Sequence, residues 1–372
     1  MLSIDNFLAA LKALGLSLDY LDIIRARKVV RPPKAMPILN IEATKRCNLS
    51  CLGCGYASYF NDNERELSLD QYRLLLTEAK KMGCLLVSFS GGEPFIRKDF
   101  IEIVEECDGV GMAVHVDSNG MLIAEGTARR LGKIGRLFIG LSLDHFKPEL
   151  NDKWRSKGAF EGVKRAAELL RNYAPLTRLA VNVTLHGGNS DALAGIAELA
   201  AEWGFSEIRL LLFHKNLQHS AKPEAEFPAE FELKPERNAD LKQKIADFSS
   251  VCKSLNLDTN SSLYLDQIAQ PKFLPCWVGF VSGNLDPYGN LFPCYDHRIP
   301  NPVFPAGLSA AWRSSAMQDM RKAAVECRKT CVAGSSLEPS ICFNLPFLVE
   351  HPLYLLDLCR KFIVQSRSTG EL

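Results

Sequence analysis

The chain has 372 residues, 47% hydrophobic and 23% charged, with 44 basic against 43 acidic side chains, so it can bury a large core and form one large domain with a smaller one. The balanced charge, with no Lys/Arg block to track phosphates, argues against nucleic acid as a partner. No signal peptide opens the sequence and no segment is apolar for the about 20 residues a membrane span needs, which predicts a cytoplasmic protein without a transmembrane segment.

Residues 1–36 read as an N-terminal segment of one or two amphipathic helices. Six short apolar runs follow, at 37–41, 85–89, 112–116, 137–141, 179–183 and 208–213. They lack the period-2 alternation of a half-exposed antiparallel strand, which predicts parallel strands covered on both faces. Helical patterns fill the gaps. Ser68-Leu69-Asp70-Gln71 reads as a capping box, and Gly83 is placed to end the helix it starts. Phe160, Val163, Ala167 and Leu170 form one apolar stripe; Leu193, Ile196, Ala200 and Trp203 form another that stops at Gly204. Strand then helix, repeated six times, predicts an α/β fold with a wound or barrel-like parallel sheet over 37–215, its ligand sites at the carboxyl ends of the strands. Residues 216–260 read as a polar, Pro-bearing linker and a helix, 261–345 as a loop-rich module with several Cys, and 346–372 as an apolar helical tail.

Twelve cysteines are many for a reducing compartment, where clustered thiols more often hold metal than form disulfides. Cys84, Cys107, Cys252 and Cys359 are isolated and read as ordinary thiols. Cys47, Cys51 and Cys54 form a C-x3-C-x2-C triplet in the loop leaving the first strand. Clustered thiolates favour zinc or iron–sulfur, and a closed structural site takes four protein ligands; the loop offers three, which leaves a coordination position for catalysis. The alternative is a zinc knuckle with a distant fourth ligand. The later strand ends carry Gly91-Gly92-Glu93-Pro94, then Asp117-Ser118-Asn119-Gly120, then Ser142-Leu143-Asp144, then Asn182-Val183-Thr184. Singly, each is an ordinary capped strand end. In order, each at the end of its own strand, they form a pattern.

That pattern resembles the radical S-adenosylmethionine (SAM) superfamily over roughly 38–213. The resemblance implies a partial (β/α)6 barrel and a [4Fe–4S] cluster on Cys47, Cys51 and Cys54 whose open iron chelates SAM. An electron from the cluster would break the sulfonium bond, giving a 5′-deoxyadenosyl radical that removes hydrogen from substrate. It also implies SAM contacts from Gly91, Gly92, Glu93, Pro94, Ser118, Asn119, Ser142, Asp144 and Asn182, and an external reductant such as flavodoxin or ferredoxin. Gly53 stands where the family usually has an aromatic residue near adenine; Tyr56 or the adjacent backbone is the stand-in.

Cys276, the stretch from Asp286 to Cys294, Cys327, Cys331 and Cys342 are similar to the C-terminal auxiliary-cluster modules called SPASM and twitch. Five cysteines fit one twitch-like [4Fe–4S] cluster, with Cys276, Cys294, Cys327 and Cys331 as ligands and Cys342 in reserve; zinc or no metal are the alternatives. Because 1–36 is short for a peptide-binding domain, the substrate expected is a small molecule. A peptide or protein substrate is the alternative, as is a lipid-like one, since the C-x-x-x-C-x-G-C-G form resembles an adenosyl-transferring hopanoid enzyme. A rival of another class is a non-catalytic metal-binding scaffold.

Overall fold

The computed structural model describes residues 17–54, 65–213, 229–231, 233, 238–331 and 333–343. Tyr56, residues 1–16, most of the 216–237 linker, the 346–372 tail and the Cys342 side chain lie outside the described residues.

After a helix α1 (Ser17–Val29), the chain runs β1 (Ile38–Thr44), α2 (Leu69–Lys81), β2 (Leu86–Gly91), α3 (Phe100–Gly109), β3 (Ala113–Ser118), α4 (Glu125–Leu131) and β4 (Leu137–Ser142). It continues through α5 (Pro148–Trp154), α6 (Ala159–Tyr173), β5 (Arg178–Leu185), α7 (Leu193–Glu202) and β6 (Glu207–Leu212). The strands sit where the apolar runs place them, and the order β6-β5-β4-β3-β2-β1 is parallel throughout. Helix starts and stops follow local chemistry. Ser68 and Gln71 close a reciprocal capping box on α2, Gly83 and Gly204 take positive φ just beyond α2 and α7, and the expected stripes of α6 and α7 are buried.

The sheet is wider than six strands and is not closed. Beyond β6, after α8 (Asn238–Ser254), lies the two-residue β7 (Asp258–Thr259). On the far side of β1, β8 (Ser282–Leu285) pairs parallel to it and turns back antiparallel as β9 (Leu291–Phe292). β8 is Ser-Gly-Asn-Leu, with no apolar run to announce it. The Cys-bearing C-terminal segment therefore continues the same sheet, and besides loops it carries α9 (Ser262–Ala269), α10 (Leu308–Arg313), α11 (Ser315–Glu326) and α12 (Gly334–Phe343).

Trp312 on α10 is fully buried. It packs near Gly283 of β8 and donates its indole N–H to the Pro33 carbonyl at 3.2 Å, so one side chain ties the C-terminal segment to the strap that enters β1. Replacing Trp312 by Ala is expected to cost about 3–5 kcal/mol, measurable as a lowered urea midpoint with unchanged slope.

Candidate active site

The loop that leaves β1 is pinned at both ends. At its start Thr44 pairs with Glu66, and Glu66 also takes Arg46 at 3.2 Å and the buried Arg97 at 3.0 Å. Arg97 further donates to the carbonyls of Ala43 and Leu67. Farther along, Leu52 N–H donates to the Trp154 carbonyl at 2.7 Å and Ser50 N–H to the Ser156 hydroxyl at 3.0 Å. A loop held this way brings Cys47, Cys51 and Cys54 within reach of one another's charge.

Burial pushes the Cys51 thiol up to about 12 and raises Cys47 as well, and each is penalised further by the neighbouring sulfurs. Groups around them offset part of that penalty. The Leu49 backbone N–H and the Asn119 side chain, 3.9 Å from Cys47 Sγ, favour the Cys47 thiolate, and the Arg155 guanidinium favours that of Cys51. Three mutually interacting thiols with thiolate-stabilising donors fit an iron–sulfur cluster.

Beneath the loop, adjacent glycines let two backbones touch. A Cβ on Gly91 would lie 2.5 Å from the Thr44 carbonyl, and one on Gly92 2.1 Å from that of Arg46. Gly92 N–H donates to the Thr44 carbonyl and Glu93 N–H to that of Arg46. The Glu93 carboxylate is buried and turned toward β3, accepting from Ser118 Oγ–H at 2.9 Å, Asn119 N–H at 2.8 Å and Phe95 N–H at 3.2 Å. Burial holds its pKa up near 7 against those donors. Asn119 in turn donates to Asn48 in the Cys loop at 2.8 Å. Glu93, Ser118 and Asn119 thus link the second and third strand ends to the thiols, and Pro94 opens the 3₁₀ turn behind them. Because Gly92 meets backbone rather than a movable side chain, Gly92→Ala is expected to displace the loop; reconstituted protein should retain less iron than wild type.

Asp144 is the second anchor. It is buried, forms an ion pair with Arg155 at 2.7 Å and accepts from Thr184 N–H at 2.7 Å, while Asn189 bonds its carbonyl. Arg155 lies eleven residues further on and was not singled out from the sequence; it joins the Asp144 corner to the thiols. Ser142 is half-buried at the same strand end. Asn182, on β5, donates its side-chain amide to Asp117 at 2.5 Å across Gly140, where a Cβ would lie 2.2 Å from it. His115, Asp117 and Arg209 continue this polar layer inside the sheet's concave face.

Gly53 has φ of 79°, and a Cβ there would lie 2.7 Å from the Phe213 ring and 3.4 Å from Phe231. The space an aromatic at position 53 would fill is taken by Phe213, at the end of β6, and Phe231. Phe231 stacks on His186 at 4.2 Å, and His186 meets Trp154 edge-on at 4.5 Å. His186 Nδ1 accepts the Gly188 N–H, and burial lowers its pKa to about 4 despite Asp144 and Glu230 nearby. The neutral ring is favoured by folding, so this stabilisation is complete above about pH 6.5 and is lost as pH falls toward about 4. A His186→Phe variant should lose less thermal stability than wild type over that window, read from Tm against pH.

A second group of thiols comprises Cys276, Cys294, Cys327 and Cys331, linked by mutual charge effects. Burial pushes Cys276 to about 12 and Cys294 to about 11. Backbone N–H groups favour their thiolates: Val278 at Cys276, Asp296 and His297 at Cys294, and Ala333 at Cys331. The β8–β9 turn sets Cys294 in place. Asp286 accepts from the N–H groups of Tyr288 and Asn290, and Gly289 takes positive φ. This donor set also fits an iron–sulfur group.

Residues 41–200 match the family model described as the radical SAM superfamily. These residues form a radical SAM domain. The mycofactocin maturase MftC of Mycolicibacterium smegmatis is 30% identical over 260 residues, 69% of this chain and 63% of that protein. A PqqA peptide cyclase of Xanthomonas campestris pv. campestris is 28% identical over 281 residues, 71% of this chain and 68% of the cyclase. The chain thus spans somewhat less than two thirds of the first relative's length. Among solved structures, Streptococcus suis SuiB bound to the precursor peptide SuiA superposes with a TM-score of 0.65 at 16% identity, covering 82% of this chain and 70% of SuiB. That likeness shows a shared α/β fold with a parallel sheet. Members of the radical SAM superfamily use a [4Fe–4S] cluster and SAM.

Proposed function

We propose that the chain is a radical SAM enzyme that modifies a peptide, with a second iron–sulfur group held by its C-terminal cysteines. The observation that carries the chemistry is the set of three thiols on one pinned loop, with Glu93, Asn119, Asp144 and Arg155 locked around it. A [4Fe–4S] cluster on Cys47, Cys51 and Cys54 would supply one electron to SAM, releasing methionine and a 5′-deoxyadenosyl radical that takes a hydrogen atom from the substrate.

The chain's own groups prepare that step. Arg155 and the donors at Cys47 favour the thiolates, and Glu93 fixes the β2 and β3 ends at the distance the loop requires. Backbone at Gly91 and Gly92, with Pro94 behind it, forms the edge on which the SAM amino group is to be held, and Ser118, Asn119, Ser142 and Asp144 line the neighbouring strand ends. Phe213, Phe231 and Trp154 exclude water beside the thiols. The layer of His115, Asp117, Asn182 and Arg209, tied together by its own polar contacts, is the one we assign to the substrate side. Flavodoxin or ferredoxin is the proposed reductant.

The brevity of 1–36 led to an expectation of a small-molecule substrate. The PqqA relative, a peptide cyclase by name, and the MftC maturase favour a peptide instead. Anaerobically reconstituted protein with dithionite and SAM should yield 5′-deoxyadenosine, and Cys47/Cys51/Cys54→Ala should yield none while keeping about half the iron. Short peptides encoded beside the gene should change mass in a SAM-dependent way. Turnover stimulated by small molecules and by no such peptide would refute the peptide reading, and absence of 5′-deoxyadenosine would leave a metal-binding scaffold.

A further inference from the structure

The second thiol group borrows a residue from the opposite end of the chain. α1 packs Ile23 and Ala26 against Trp277, Phe280 and Val281, just after Cys276. Its exit is held firmly: Arg31 pairs with Asp22, Lys34 N–H donates to the other Asp22 oxygen at 2.8 Å, and Gln318 of α11 donates to the Val30 carbonyl. From the last turn of this fixed helix, Arg27 donates Nε–H to the Cys276 carbonyl at 2.8 Å, a contact spanning 249 residues. Its guanidinium carbon also sits 4.9 Å from the centre of the Trp277 ring.

We propose that Arg27 is a positioning residue for the iron–sulfur group at Cys276, Cys294, Cys327 and Cys331, holding Cys276 in register and placing a fixed positive charge beside it. This rests on the reading of those cysteines as cluster ligands. A guanidinium is charged at all accessible pH, and hydrogen bonds and net charge around the ligands are levers that set cluster potential. Adding an electron makes the cluster more negative, so an adjacent cation favours the reduced form and raises the midpoint potential.

Other cations lie near this site: Lys329 is paired with Asp296 at 3.0 Å, and Arg328, which keeps its charge, donates to the carbonyls of Val325 and Cys327 and lies over the Phe273 ring. Arg27 differs in reaching the site from the N-terminal helix and in bonding the Cys276 carbonyl. The assignment also gives the N-terminal helix a task in the chemistry, where the sequence pattern suggested only an amphipathic surface.

The test uses the full-length chain with Cys47, Cys51 and Cys54 changed to Ala, so that the second group alone is observed, reconstituted anaerobically and followed by electron paramagnetic resonance during a redox titration. Arg27→Gln should retain iron and shift the midpoint to more negative potential, whereas Arg27→Lys should stay close to the parent. Unchanged midpoints in both variants overturn the proposal. Equal loss of iron in both overturns it too, because Arg27 would then serve packing rather than charge. A parent protein that binds no iron overturns the second-site reading itself, whatever Arg27 does.

Discussion

Three thiols placed side by side on a half-buried loop repel one another as soon as they ionise, and burial adds to that penalty. The surroundings of the β1 exit answer this constraint. Backbone and amide donors reach Cys47, a guanidinium stands by Cys51, and Glu93, the carboxylate whose charge bears on Cys47, is occupied by three donors from its own neighbourhood. Such a site is costly when empty and favourable when cationic iron is present, which couples cluster binding to local order. With the proposed set of three loop thiols as ligands, a cubane of four irons has one position left for SAM.

The sheet makes this arrangement possible. Parallel order brings all carboxyl ends to one edge, so Gly92, Asn119 and Asp144, far apart in sequence, converge around 47–54. The β8 pairing then ties the second thiol group to β1 itself, with Trp312 bonded to the strap before it. The two groups of cysteines accordingly sit on one continuous sheet.

Local signals were the legible part. Continuous apolar runs marked β1 to β6, the Ser68 and Gln71 pair marked the start of α2, and clustered cysteines with ordered strand-end motifs marked the site. What stayed hidden depends on contacts distant in sequence or on unremarkable residue types. β8 lacks apolar character because Ser282, Gly283 and Asn284 are specified by their neighbours: Asn284 donates to the Pro293 carbonyl, and Gly283 makes room for Trp312. Arg155 is an ordinary arginine until Asp144 is placed beside it. Gly53 read as a missing aromatic, and only the fold shows Phe213 and Phe231 filling the gap. Asn182 was legible as a strand-end motif, but the sequence could not show that its amide N–H is paired with Asp117 on β3.

The central claim is that one iron of the N-terminal cluster is reserved for SAM. The most direct measurement is electron–nuclear double resonance on the reduced, reconstituted protein with SAM labelled in its amino nitrogen and carboxylate oxygen. Coupling of both labels to a single cluster, abolished by Cys47/Cys51/Cys54→Ala, is the expected result. A cluster signal indifferent to SAM, with no coupling to either label, would contradict it.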